Sequence, residues 1–442
     1  MKKQYLKSVR DNMPEPLKYI SAPLLRKKLI YNKEFCSYFK LLEDRDSSDL
    51  EMIGKYQFIK LKEILTYSFI NVPYYRELFN AISFDPFKFS DFKQIEKIPF
   101  LTRELVTENF DKLISTKKVD NGYYVGSTGG STGLALNFLL DYDSIYKENA
   151  FIYFYRKKLG YNFSDKIATF RTHGPGNVLW RLNPMYREVI FSNSGLSKIT
   201  IQRYADRINK LKPDYLNGYI SAIWFFSKLL EEFNINLTFR LKGIFLISEN
   251  PDPEQRQFIE KFFNVKSSTF YGHSERVVIA EEKQPDMYVF DPYYGYTEQI
   301  HLKKNEYSIV GTGFLNKTMP FIRYKTDDIC IPEKQYFRIE GKRDSNIGLY
   351  GINNEFLAGV GFHLNLAVFH KITTYQFIQK EKGKADMFII VGKDFCNEDL
   401  KNIKKEIDLQ TKGIIDINIK VVDNLVLTQR GKFQKVISYV EN

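Results

Sequence analysis

The chain is short of the features that would place it in several large classes. It has three cysteines in 442 residues, Cys36, Cys330 and Cys396, and none lies near another. That spacing leaves no disulfide framework and no Cys-x-x-Cys metal site to read, and it suits a reducing cytoplasm. No apolar run approaches the ~20 residues needed to span a bilayer; the most apolar, Ala222-Ile223-Trp224-Phe225-Phe226, is far too short. The amino terminus, Met1-Lys2-Lys3-Gln4-Tyr5, leads into no apolar core of signal-peptide length. The expectation is a cytoplasmic protein without a transmembrane segment. Internal repeats, low-complexity tracts and blocks of basic residues are also missing. The net charge of +12 is spread along the chain, so most lysines are read as solvated surface and no nucleic-acid partner is expected.

What the chain has is apolar bulk and one unusual loop. Apolar residues make up 43% and aromatics 16%, including 30 Tyr and 37 Phe, enough to fill a sizeable interior. A length of 442 residues exceeds one small core, so more than one domain is expected. The loop is Gly126-Ser127-Thr128-Gly129-Gly130-Ser131-Thr132-Gly133, four glycines and four hydroxyls. Glycine lets the backbone approach a ligand, successive N–H groups make an anion-binding concavity, and hydroxyls add donors for phosphate oxygens. It sits between two apolar segments, Tyr123-Tyr124-Val125 and Leu134 to Leu140, so it reads as a phosphate loop closing a hairpin and not as a linker. No lysine follows Gly133, which excludes a Walker loop, and no Gly-x-Gly-x-x-Gly is present.

Residues 1 to about 100 read as helical and basic. Pro73 begins a short helix and Thr102 caps another. A helix is expected from Ser144 to Lys158 and a strand from Lys166 to Thr172, running into His173-Gly174-Pro175-Gly176. A lone histidine is usually structural, but a loop at a strand end is where α/β sheets bind ligands, so it is a pocket candidate. Asn217-Gly218-Tyr219 reads as a turn before an apolar helix. Leu241 to Ile247, a helix from Pro253 to Phe263, and Ser267 to Tyr271 read as one parallel α/β unit. Gly341-Lys342-Arg343-Asp344-Ser345-Asn346-Ile347 breaks the pattern, which sets a boundary between residues 1–341 and 342–442. In the second part Leu400, Ile403 and Ile407 share a helix face, and Ile415, Ile417, Ile419 and Val421 alternate as a half-buried strand.

Taken in order, these motifs resemble those of the adenylate-forming superfamily, in the branch of phenylacetate–coenzyme A ligase and its capsule and surface-polysaccharide relatives. The resemblance covers nearly the whole chain. It rests on Val72-Pro73-Tyr74-Tyr75-Arg76, Ile98-Pro99-Phe100-Leu101-Thr102, the loop Gly126 to Gly133, Lys212-Pro213-Asp214-Tyr215 with Gly218-Tyr219, and Ser248-Glu249. Tyr271-Gly272-His273-Ser274-Glu275, Arg323 to Asp328, Gly341 to Asp344 and Gly431-Lys432 complete it. It implies an α/β fold, with a large amino-terminal adenylate-forming domain of mixed sheets (residues 1–341, the first 100 or so a helical leading segment). A small mobile α+β carboxy-terminal lid of residues 342–442 would follow.

The resemblance also implies a function and a site. A carboxylate would be activated by ATP to an acyl-adenylate with release of pyrophosphate. The acyl group would then pass to an acceptor: a coenzyme A thiol, an amine or a sugar. Ser127, Thr128, Gly129, Gly130, Ser131, Thr132 and Gly133 would wrap phosphates, with Lys342 contributing; Ser248, Glu249, Tyr271 and Gly272 would meet adenine. Asp328 would accept from both ribose hydroxyls. Asp327 stands where the family has glycine, and Lys342 where it has arginine, which removes a bidentate fork. Glu275 would hold Mg²⁺, Ser274 would donate near the phosphate or the acyl carboxylate, and Lys432 would bridge the two. Asp344 would be the hinge. His173, Gly174, Gly218 and Tyr219 would line the acyl pocket. The expected cofactors are ATP and Mg²⁺, with coenzyme A as one acceptor. The rivals are an acyl- or aryl-coenzyme A ligase and, from another class, a nucleotide-binding protein without catalysis.

Overall fold

The computed structural model describes residues 15–45, 50–127, 136–171, 178–196, 199–251, 253–340, 348–358, 371–391, 395–422, 426 and 436–440. The expected sites at Thr128, Gly129, Gly130, Ser131, Thr132, Gly133, His173, Gly174, Lys342, Asp344 and Lys432 lie outside these residues.

Helices Glu15–Leu29, Lys33–Asp44, Leu50–Asn71 and Pro73–Ala81 open the chain. Pro73 takes the first helical position, where a missing N–H costs nothing. The two early signatures hold backbone in place. Tyr75, fully buried, donates its hydroxyl to the Pro320 carbonyl at 3.0 Å and accepts from the Ile322 amide at 2.9 Å. Leu101 pairs with the backbone on either side of Tyr324, through Arg323 O at 3.0 Å and Lys325 N at 2.9 Å. The Thr102 hydroxyl then accepts from the Leu105 amide at 3.3 Å and caps the helix Arg103–Glu108.

Strands β1 (Tyr123–Ser127) and β2 (Asn137–Asp141) form an antiparallel hairpin, as the flanks of the Gly-rich loop imply. Gly126 is required there, because a Cβ would lie 2.5 Å from the Phe138 ring across the pair. Asp141 then caps the aromatic helix Tyr142–Lys157.

The next strands are β3 (Ile167–Arg171), β4 (Trp180–Asn183), β5 (Glu188–Ser192), β6 (Tyr215–Gly218), β7 (Gly243–Leu246) and β8 (Ser267–Ser268). They form one sheet in the order β4-β5-β3-β6-β7-β8, parallel except for β4. Helices Ile201–Leu211, Ile220–Glu232 and Pro253–Phe263 cover one face, packing Tyr204, Ile208, Ile223, Phe226 and Ile259 onto Phe170, Phe191 and Leu216.

A seven-stranded antiparallel sheet follows, built from β9 (Phe270–Gly272), β10 (Ile279–Gln284), β11 (Met287–Phe290), β12 (Gly295–Lys303), β13 (Glu306–Gly313), β14 (Tyr324–Glu333) and β15 (Tyr336–Glu340). Its order is β12-β13-β14-β15-β11-β10-β9. Last come a short pair, β16 (Gly348–Tyr350) and β17 (Phe356–Ala358), and a four-stranded mixed sheet. That sheet runs β20 (Asp416–Val421), β19 (Lys384–Val391), β18 (Ile372–Glu381), β21 (Val436–Ser438), and Ile403 and Ile407 of helix Asn397–Thr411 pack with it.

The α/β class is therefore the one expected, with two local differences. The expected strand Ser267 to Tyr271 is divided: β8 pairs parallel with β7, whereas Phe270–Gly272 pairs antiparallel with β10. Asn217-Gly218 is strand, not turn. Gly218 has φ +157, and a Cβ there would meet the Phe170 carbonyl oxygen at 2.4 Å, so a close β3–β6 approach demands the glycine. The chain falls into two compact units. One takes in Leu136–Tyr161 and Thr269–Gly341 with the amino-terminal part; the other takes in Asn162–Ser268 with the carboxy-terminal part.

Candidate functional site

In the first unit the chain from β9 to β10 makes a tight loop that carries four expected residues. Tyr271 is at its strand end, and Gly272 and Ser274 are exposed. Glu275 is 7% exposed, and each of its oxygens is engaged. Oε1 accepts the Tyr324 hydroxyl at 3.0 Å and Oε2 lies 3.2 Å from His273 Nδ1. A carboxylate only accepts, so Nδ1 carries the proton in this pair. Burial raises the Glu275 pKa, but the His273 hydrogen bond and charge, its own backbone amide and the Arg103 guanidinium outweigh it and hold the group at about 2. The loop thus keeps a charged carboxylate inside the protein.

The same loop aims Tyr271 at Asp328. The phenol donates to Asp328 Oδ2 at 2.8 Å, and burial, followed by the Asp328 charge, pushes its pKa well above the ordinary value. Arg323, first in its motif, serves the fold. It pairs with Glu298 through Nε at 3.0 Å and Nη2 at 2.7 Å, and it donates to the carbonyls of Glu96 and Ile98. Its left-handed φ of +49 turns the chain into β14, which delivers Tyr324 to Glu275.

Behind Glu275, Arg276 (φ +56) is anchored to the helix after the hairpin. Its Nε lies 2.7 Å from Glu148 Oε2, and Tyr294 donates to the other Glu148 oxygen at 3.0 Å. His273, Tyr324, Arg276 and Glu148 are site-shaping residues that sequence reasoning missed. Tyr324 and His273 stood inside quoted motifs, yet only their contacts give them a role.

The donor set fits a magnesium ion. Among the described residues no cluster of three or more His, Cys, Asp or Glu side chains is placed to hold a metal. Mg²⁺ does not need one: it takes one or two carboxylates and fills its shell with phosphate oxygens and water. An ionised carboxylate offers about four lone-pair positions, so Glu275 retains capacity beyond its two hydrogen bonds.

In the second unit the expected residues stand at carboxyl ends of parallel strands. Gly218 ends β6 and Tyr219 follows it, buried; Ser248, at φ +63, and the buried Glu249 follow β7. Ligands of open α/β sheets bind at such ends. Ser127, expected at the phosphates, ends β1 and is half-buried.

No family model matches the chain. Its sequence is similar to Protein CapK of Staphylococcus aureus, at 24% identity over 428 residues, 93% of this chain and 94% of that one. Its fold is that of 2-hydroxyisobutyryl-CoA ligase. The structure of that enzyme in complex with 2-HIB-AMP and CoA in the thioesterification state superposes with a TM-score of 0.57 at 14% identity, covering 89% of this chain and 91% of the other. The same ligase in its postadenylation state with R3-HIB-AMP gives 0.52 at 14% identity, over 86% and 88%. The fold expected from the motifs is thus one that the chain shares with that ligase. No described helix is long and apolar enough to cross a membrane.

Proposed function

We propose that this chain uses ATP to activate a carboxylic acid as an acyl-adenylate and then passes the acyl group to an acceptor. One observation carries the reading: a buried carboxylate, Glu275, held ionised by Tyr324 and His273 beside a Tyr271–Asp328 pair, in a chain with the fold of an acyl-CoA ligase. A surface glutamate would need none of these partners.

The carboxylate oxygen of the acid attacks the α-phosphorus, a P–O bond forms, and pyrophosphate leaves with the bridging electron pair. An acceptor nucleophile then attacks the acyl carbon and AMP departs. Tyr271 lies against the adenine, and Asp328, already fixed by the Tyr271 hydroxyl, accepts from the ribose hydroxyls. Ser274, exposed in the loop, donates to the phosphate or the acyl carboxylate. Glu275 is the group that would hold Mg²⁺, which when bound spreads the negative charge of the phosphates. From the sequence, Gly129, Gly130 and their neighbours wrap phosphates, and Lys432 places an ammonium between carboxylate and α-phosphate, where charge develops. Ser248 and Glu249 serve the adenine, Gly218 and Tyr219 the acyl group, and Asp344 is the hinge of the carboxy-terminal domain. The acceptor is a thiol such as coenzyme A, an amine or a sugar. Surface-polysaccharide assembly is the favoured setting, given the motif resemblance and the likeness to Protein CapK.

The test is ATP–pyrophosphate exchange across a panel of carboxylic acids, followed by acceptor trials on each acid that responds. Exchange above the acid-free rate is expected for at least one class of acid. ATP binding with no exchange for any acid would instead make the chain a nucleotide-binding protein without catalysis.

A further inference from the structure

The helix Glu15–Leu29, in the first unit, turns an apolar face to the solvent. Leu17, Ile20 and Leu24 are 51%, 75% and 79% exposed. At about 100° per residue these positions fall within about 60° of arc, so they form one stripe. The opposite side holds the helix to the protein: Ala22 is buried, and so is Ile30 just beyond the last turn. A surface helix of a globular protein ordinarily turns such a stripe to the core. This one turns it outward.

The charge around the stripe is of one sign. Lys27, seven positions after Ile20 and so within about 20° of it around the helix, is exposed. Lys33, at the start of the next helix, is exposed as well. Residues 1–33 contain nine Lys or Arg and only two acids, Asp11 and Glu15, a net +7 out of the chain's +12. No long basic block is present, yet more than half of the net charge falls in this opening stretch.

Charge and apolarity together select the occupant of this face. A second copy of the chain would bring like charge against like charge around the same stripe, which opposes association. A polyanion with no apolar layer would match the lysines and leave Leu17, Ile20 and Leu24 in water. An anionic bilayer matches both, since its headgroups attract cations and the boundary beneath them accepts aliphatic side chains. With 15 residues and Pro23 inside, the helix is too short to cross a bilayer, so it would lie in the plane of the interface.

We propose that the helix Glu15–Leu29 docks this protein on the surface of an anionic phospholipid bilayer, with Leu17, Ile20 and Leu24 at the headgroup–acyl boundary and the cations of residues 1–33 on the lipid phosphates. The docking face is separate from the Glu275 loop and does not depend on the adenylation reading.

The experiment is co-sedimentation of the full chain with vesicles of phosphatidylglycerol and phosphatidylcholine in equal parts, beside vesicles of phosphatidylcholine alone. The parent should sediment with the anionic vesicles and bind the neutral ones at least about tenfold more weakly, and added salt should release it. The double variant Ile20→Gln/Leu24→Gln should weaken anionic binding about tenfold or more through lost apolar burial. Lys27→Glu should weaken it about tenfold by reversing one charge at the surface. Leu24→Trp should shift its emission to the blue on anionic vesicles, because the ring leaves water. All four positions are exposed, so the variants should keep the circular dichroism and ATP binding of the parent. The proposal is overturned if the parent stays in solution beside anionic vesicles, if it binds both kinds of vesicle alike, or if the double variant binds as the parent does. Sedimentation with no change in the Leu24→Trp emission would overturn it too, by assigning the contact to another face. So would a parent dimer, seen by light scattering, that the double variant dissociates, since the stripe would then belong to a second copy. Pyrophosphate exchange is no part of this readout, so its failure for every acid would strike the adenylation reading and leave the docking face in place.

Discussion

At Glu275 two donors already grip the carboxylate, whereas at the end of β5 Asn193 buries two amide atoms that have no partner among the described residues. Both places bury polarity, but they bury it in opposite states. The Glu275 loop is finished before a ligand arrives: its charge is held, its neighbours Tyr271 and Asp328 are joined, and Arg276 is anchored to Glu148. At the end of β5 the Asn193 amide has no such partners among the described residues. A preorganised group suits chemistry, since no reorganisation is needed as charge develops. An unsatisfied group suits discrimination, since a ligand lacking the matching atom leaves the cost in place.

The strongest way to break this contrast is to remove the charge at Glu275. Glu275→Gln keeps the shape but turns one accepting oxygen into a donor NH₂ group, and should slow pyrophosphate exchange by about 10²–10³ at saturating acid, the scale for losing one electrostatic group at a reaction centre. It should also raise the magnesium concentration needed for half-maximal rate. An unchanged magnesium dependence would remove Glu275 from the metal.

A smaller effect tests whether the hydrogen bonds matter or only the charge. Tyr324→Phe deletes one donor to Glu275 and should cost about 10–100-fold in magnesium affinity or rate, the usual range for partners that orient a metal ligand. If that variant matches the parent, the loop is not held ready by its donors and the contrast with β5 disappears.

On the β5 side of the molecule, Gly218→Ala forces a Cβ against the Phe170 carbonyl oxygen at a φ of +157. It should lose about 1–3 kcal/mol of stability, read from denaturant unfolding, through strain at a single position. A neutral outcome would show that β3 and β6 can separate there, and that the neighbouring strand ends are less rigid than described.

The gentlest test is acid. Glu275 has its folded pKa depressed from 4.5 to about 2, so it binds fewer protons folded than unfolded between those values. Its contribution is complete above about pH 4.5 and is lost as the pH falls toward 2. The stability gap between parent and Glu275→Gln should therefore narrow over that window and stay flat above it. A gap independent of pH would mean that Glu275 is not held ionised by its surroundings.

How far the sequence reached differs between these regions for a physical reason. The β9–β10 loop was legible because its residues are consecutive: Tyr271 to Glu275 form one local signature. So was the hairpin of β1 and β2, with turn formers between two apolar segments. The division of 267–271 between two sheets was not legible, since either pairing satisfies the same extended backbone and only the partner strands decide. The contact of Lys412 with Ser192 was not legible either. The two are distant in sequence, and each alone is an ordinary surface-type residue.

By itself, then, the sequence determined the class of fold, the order of elements and the identity of a motif-bearing loop, because periodicity, turn chemistry and contiguous signatures are local properties. Tertiary structure alone decided that Tyr271 holds Asp328, that Arg323 is used by Glu298 and two carbonyls, and that Tyr324 meets Glu275 from 49 positions along the chain. It also decided that Lys412 reaches Ser192 from 220 residues away. Those outcomes depend on register and on the desolvation of particular atoms, which are set only when distant strands and helix ends pack together.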